Sequence, residues 1–274
     1  MDNIFISACC SAGQQKYGVE HGPRYLENNC DIVFDHTISP REFYKFTGYQ
    51  KLYDIVKQNM SKFQIIVGGD HSLAVGSVGA VVDYYNSIDK KLFVIWIDAH
   101  ADINTYESSE SNNIHGMPVA FLMKLCDQTL VDLKSKLLPS QIIYIGLRSV
   151  DPPEQLFLDE LGIQYYTMQD VKAKGISKIM EEIKLITESN DVHVSLDIDG
   201  IDPTYCPSTG VVVNDGLSID NVTDIIDSLN NTIVSCDIVE FNPFETTYID
   251  AEITATTIKK LIKCINENKK IVHE

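Results

Sequence analysis

Short apolar runs alternate with longer amphipathic stretches along most of this chain. Asn3 to Ala8, Phe63 to Val67, Leu92 to Ile97, Ile142 to Ile145, Gln164 to Tyr166, Val192 to Leu196 and Ile233 to Glu240 are short and rich in β-branched or aromatic residues, which predicts strands. Between them, apolar positions recur at helical spacing over Arg24 to Asn28, Tyr49 to Ser61, Ser72 to Tyr85, Pro118 to Leu125, Ile176 to Glu188, Ile219 to Leu229 and Ala251 to Ile265. Strands separated by helices of this length predict βαβ units and a parallel sheet covered on both faces. No repeat, low-complexity segment or Pro/Gly/Ser-rich linker interrupts the pattern, so residues 1–274 read as a single α/β domain.

Composition narrows the partners. Hydrophobic residues make up 44% and charged residues 22%, as in ordinary globular chains, but the formal net charge is −17. That charge argues against nucleic acid, whose phosphates require a basic face. No stretch reaches the ~18 apolar residues of a membrane span, and the N-terminus has neither a basic start nor a long apolar run. The seven cysteines are scattered without CxxC spacing, which suits free thiols in a reducing cytoplasm.

The chemistry gathers at strand ends. The central apolar run is followed at once by Asp98, His100 and Asp102, whose two-residue spacing points their side chains the same way on an extended backbone. Carboxylates mixed with imidazole suit a first-row divalent ion better than calcium or a structural zinc. His71 follows a second predicted strand, Asp197 and Asp199 a third, and Glu240 closes a fourth. Each taken alone is an ordinary cap or loop residue. Together, so many carboxylates at the carboxyl ends of strands, where open α/β sheets bind ligands, would repel one another unless cations held them.

The segments GGDHS, DAHAD, SLDIDGIDP and VEFNP, in this order, resemble the ureohydrolase superfamily and in detail the arginase family, over nearly the whole chain. The resemblance implies a three-layer α/β/α fold with a mainly parallel sheet of about eight strands. It implies two Mn²⁺ per subunit and hydrolysis of L-arginine to L-ornithine and urea by a hydroxide bridging the metals. By position, His71, Asp98, Asp102 and Asp197 would hold one ion; Asp98, His100, Asp197 and Asp199 would hold the other. His115 matches the family's proton-shuttle histidine, and Glu240 the carboxylate that pairs with the guanidinium. Asn104, Ser109, Ser111 and Asn113 match positions that read the α-carboxylate; Asp151 and Glu154 match those that face the α-ammonium. This set favours arginine over agmatine, with another guanidino hydrolase or an inactive metal-binding relative as the alternatives.

Several positions depart from the family pattern. Asn112 replaces a common Gly, Ser149 an acidic residue, and Val211 a Thr beside the metal site. The segment between Cys126 and Gln141 is short, and Lys269 falls near where some relatives use an Arg between subunits. A homotrimer is the family expectation.

Overall fold

The computed structural model describes residues 3–270. Its strands are β1 (Asn3–Ala8), β2 (His36–Ile38), β3 (Phe63–Gly68), β4 (Leu92–Ile97), β5 (Ile142–Leu147), β6 (Gln164–Thr167), β7 (Asp191–Asp197) and β8 (Ile233–Val239). Its α-helices are α1 (Gly22–Cys30), α2 (Pro40–Tyr44), α3 (Thr47–Gln58), α4 (Ala74–Ser87), α5 (Pro118–Leu122), α6 (Pro152–Leu161), α7 (Met168–Lys174), α8 (Ile176–Thr187), α9 (Ile219–Ser228) and α10 (Tyr248–Asn268). The strands form one sheet in the order β2-β1-β3-β8-β7-β4-β5-β6, with every pairing parallel.

Alternation along the strands sorts the core into two layers. Ile4, Ile6, Val94, Trp96 and Tyr144 face α2 to α6, whereas Ile65, Ile95, Ile97, Val194 and Ile238 face α1 and α7 to α10. Both clusters are closed to solvent. At roughly 1.5–3 kcal/mol for each large apolar side chain buried, they supply the main drive for folding.

Buried polar side chains interrupt the apolar strands at Ser7 and Gln64 and, most densely, on β7 and β8. His193 and Ser195 on β7, and Ser235 and Asp237 on β8, are buried polar residues beneath α4. Three of them are linked: His193 Nδ1 lies 2.7 Å from Ser235 Oγ and its Nε2 3.2 Å from Asp237 Oδ2, which also accepts from Ser77 Oγ at 2.9 Å, whereas Ser195 Oγ faces His71 Nε2 and Asp237 Oδ1 has no partner. Helix α4 reaches the column through Ser77, while its Gly76 and Gly79 lie against Tyr49 and Leu52 and against Leu122 and Leu133. The column leads towards Asp197 at the carboxyl end of β7.

The architecture matches the sequence expectation, but four elements, β2, α2, α6 and α7, were not legible from periodicity. Strand β2 is three residues long with two of them exposed, so it has no apolar pattern. Helices α2 and α6 each begin at proline behind a capping box, Ser39 with Glu42 and Asp151 with Glu154. Proline in the first turn is a start signal. The predicted helix Pro118 to Leu125 ends at Leu122, and Ala251 to Ile265 extends to Tyr248–Asn268.

Candidate metal centre

The chain passes from β3 through α4 to β4, leaving β8 and β7 between them. The carboxyl ends of these four neighbouring strands therefore converge, and each delivers part of one site: His71 after β3, Asp98 to Asp102 after β4, Asp197 and Asp199 from β7, and Glu240 after β8.

Two clusters share one carboxylate. His71 Nδ1 stands 3.1 Å from Asp98 Oδ2, 3.1 Å from Asp102 Oδ2 and 3.3 Å from Asp197 Oδ2. His100 Nδ1 stands 3.5 Å from Asp98 Oδ1 and 3.1 Å from Asp199 Oδ2. Asp98 thus turns one oxygen to each imidazole, and two sets, His71–Asp98–Asp197 and Asp98–His100–Asp199, are each compact enough to hold an ion. Asp197 faces the His71 side, its Oδ1 accepting the Asp199 N–H at 2.8 Å.

The supports are as specific as the ligands. Trp96 stacks on His71, 4.1 Å between ring centroids, and donates its Nε1–H to Asp98 Oδ2 at 2.9 Å. The His100 backbone N–H donates to Asp98 Oδ1 at 2.7 Å. Asp102 and Glu240 adopt left-handed backbone, φ 53° and 66°, a conformation that costs a non-glycine residue and concentrates at functional sites.

The residues fit divalent cations. His71 Nδ1 and Asp102 Oδ2 are buried with no hydrogen-bond partner, although both face polar atoms. Protons alone serve the cluster poorly. Burial and the neighbouring Asp199 and Asp98 carboxylates push Asp197 well above the carboxylate range; burial and Asp98 push Asp199 up to about 6 and raise Asp102. Burial opposes charge on His100, yet Asp199 and Asp98 drive it up to about 12. Asp98 is also opposed by burial, but His100 and His71 hold it below its usual range. Buried carboxylates clustered around imidazole nitrogens match hard and borderline divalent ions.

Above the clusters lies a cavity of about 300 Å³. It brings together every site residue expected from the sequence except His71 and Asp98, which form its fully buried floor. At one end His115 Nδ1 lies 3.2 Å from Glu240 Oε1; against burial, the Glu240 carboxylate raises His115 to about 9. At the other end Asn104 Nδ2 donates to Asp151 Oδ2 at 3.3 Å, and Ser109 and Ser111 accept the N–H groups of Asn112 and Asn113. Asn112 has φ 56°, the left-handed region in which Asn is among the better tolerated L residues. Ser149 and Val211 also line the cavity. Glu154 carries a structural duty the sequence did not reveal: its carboxylate accepts the N–H groups of Ile103 and Asp151, 3.2 and 3.0 Å, tying the Asp102 segment to the start of α6.

The model of the Arginase family matches residues 2–266. The chain belongs to the arginase family. It is 35% identical to arginase-1 of Sus scrofa over 277 residues, covering 87% of this chain and 84% of that one. Arginase from Bacillus subtilis superposes with a TM-score of 0.85 at 31% identity, over 97% of this chain and 98% of that one. The Entamoeba histolytica arginase, solved in complex with L-ornithine, superposes with a TM-score of 0.84 at 31% identity, over 96% and 97%. As an arginase-family member, this protein is a hydrolase acting on a guanidino carbon–nitrogen bond; the family implies a binuclear metal site, and the His/Asp clusters here are able to bind metal.

Sequence reasoning missed three supports of this arginase-type site. Trp96 precedes Asp98 by two residues and Ser195 precedes Asp197 by two, so strand periodicity would have placed each beside its ligand. Arg148 carries no comparable signal. Its guanidinium donates to five backbone carbonyls, those of Gly146, Asp199, Gly200, Val213 and Asn214, and so pins the Val211 segment to the Asp199 turn.

Proposed function

We propose that this protein is an arginase, hydrolysing L-arginine to L-ornithine and urea at a pair of manganese ions. Asp98 carries the reading: one buried carboxylate spans two imidazole-bearing clusters beneath a cavity with a carboxylate–histidine pair at one end and small polar groups at the other.

His71, Asp98, Asp102 and Asp197 would hold one ion; Asp98, His100, Asp197 and Asp199 would hold the second. When bound, such a pair supplies Lewis acidity that brings the pKa of water towards neutrality. Glu240 pairs with the substrate guanidinium and turns its carbon towards the metal floor. Water adds to that carbon as one of its protons passes to Asp102, the bond to the side-chain nitrogen breaks as the departing amine takes a proton from His115, and the hydroxyl proton shed as urea forms restores His115. With Nδ1 on Glu240, the Nε2 of His115 is the nitrogen that exchanges it. Asp102, on the floor beside His71, lies near enough to steer the incoming water.

The far end of the cavity sets substrate choice. Asn104, Ser109, Ser111 and Asn113 offer neutral donors to an α-carboxylate, and Asp151 and Glu154 offer negative charge to an α-ammonium. Agmatine lacks the carboxylate and would leave those donors unpaired, so the site disfavours it. Seven free cysteines support a cytoplasmic setting, and one continuous sheet supports a single domain. No helix among the described residues is long and apolar enough to cross a membrane.

The test is urea release by the Mn²⁺-loaded protein with L-arginine and agmatine in parallel. Urea from L-arginine alone is expected. Urea from agmatine alone would overturn the substrate assignment while keeping the metal chemistry.

A further inference from the structure

The N-terminal loop between β1 and α1 bears directly on Glu240. Gly13 is pressed between Asp70 and the His115 loop: its N–H donates to Asp70 Oδ2 at 2.8 Å and its carbonyl accepts the His115 N–H at 3.1 Å. A side chain there would meet Asp70 Oδ1 at 2.5 Å, so only glycine permits the approach. The next residue, Gln14, reaches the Glu240 carboxylate and donates Nε2–H to its Oε2 at 2.9 Å.

This contact changes what Glu240 can offer. A carboxylate has about four acceptor directions. Oε1 already accepts the His71 backbone N–H at 2.9 Å and lies 3.2 Å from His115 Nδ1, and Oε2 accepts Gln14. One direction remains, on Oε2, whereas a guanidinium fork needs one on each oxygen. The shortfall has a remedy within reach. The absent side chain of Gly210 would lie 3.3 Å from Gln14 Oε1 and 3.7 Å from Glu240 Oε2, so glycine at 210 keeps open a space faced by both oxygens.

We propose that Gln14 is a specificity-determining residue for the guanidino end of the substrate. Its Nε2 fixes the Glu240 carboxylate and its Oε1 supplies a second, neutral acceptor for a guanidinium N–H beside Glu240 Oε2. The inference rests on Glu240 being the partner of the guanidinium. Glu240 provides charge; Gln14 provides the direction that Glu240 has lost to His71 and His115.

The test compares Gln14→Leu, which keeps size and removes both polar atoms, with Gly210→Ala, which fills the space before them. In each, KM for L-arginine should rise about ten-fold, the order expected for one hydrogen bond to a charged group. Inhibition by L-ornithine, which has no guanidino group, should be unchanged, with metal content and Tm as controls. An unchanged KM in Gln14→Leu alongside a large loss in Glu240→Gln would overturn the role of Gln14 and leave Glu240 in place. No change in any of the three variants would remove Glu240 from guanidinium binding. Equal weakening of L-arginine and L-ornithine would mean general damage to the cavity and would also overturn the proposal.

Discussion

His71 Nε2 lies 2.9 Å from Ser195 Oγ, with both residues fully buried. A cation at Nδ1 requires that nitrogen to be unprotonated, so the ring proton sits on Nε2 and is donated to the serine. Ser195 therefore selects the tautomer that aims a lone pair at Asp98, Asp102 and Asp197. Ser195→Ala leaves the N–H without an acceptor, and metal affinity should fall about 10–100-fold with the fold retained. Chelator competition reads this directly; an unchanged affinity would mean that packing against Trp96 alone orients the ring.

Arg148 offers a second test. Its five donors meet five carbonyls from three segments. Arg148→Met strands several of them, each worth ~1–3 kcal/mol when buried and unpaired. The expected result is a lower Tm, faster hydrogen exchange over residues 210–216 and a raised KM for L-arginine. Exchange unchanged over that segment would show that the loop holds itself.

Much of this was legible in the sequence because it rests on local rules. Apolar runs located seven of the strands, but the expected extended two-residue alignment is not how the ligands converge: Asp199 lies in a 3-10 turn, the His100 N–H folds back onto Asp98, and Asp102 has left-handed backbone. Other relationships depend on non-local geometry. That β8 and β7 lie between β3 and β4, bringing Glu240 to His115, is a property of strand order, which periodicity does not encode. Gln14 sits in a polar loop, and its partner lies 226 residues away. Glu154 looked like a substrate reader from its position; three-dimensional proximity to Ile103 gives it a backbone-tying duty as well.

The electrostatics predict how stability responds to pH without metal. Asp102 and Asp197 are raised and Asp199 rises to about 6, each chiefly by burial, so the folded state binds their protons more tightly than the unfolded chain. The Asp199 contribution is lost as pH climbs from about 4 through 6, and those of Asp102 and Asp197 as pH rises above the ordinary carboxylate range. His115, opposed by burial but raised to about 9 by Glu240, acts in the same direction: its stabilisation is full below about 6.5 and lost as pH passes 9. Asp98 and Glu240, held low, act in the opposite sense only at the acid end. Tm in a chelator should therefore fall between about pH 6.5 and 9. Excess Mn²⁺ should raise Tm most at the alkaline end, because ligation requires deprotonated ligands. A Tm that rises with pH in the chelator would contradict this balance.

Trp96 gives a sharper mutational contrast. Trp96→Phe keeps an aromatic ring over His71 and removes the donor to Asp98 Oδ2, so its effect isolates one hydrogen bond. Metal affinity should weaken, and the cavity left by the smaller ring should cost on the order of 1–3 kcal/mol. Full affinity in this variant would show that the indole N–H does not orient Asp98.

The central claim is that Asp98 joins two metal positions into one site. Mn²⁺ titration of the metal-free protein, wild type beside Asp98→Ala, tests it most directly. The wild type should take up two ions per chain and the variant neither at comparable affinity. An Asp98→Ala protein that still bound either ion as tightly as the wild type would contradict the shared-carboxylate site and the mechanism built on it.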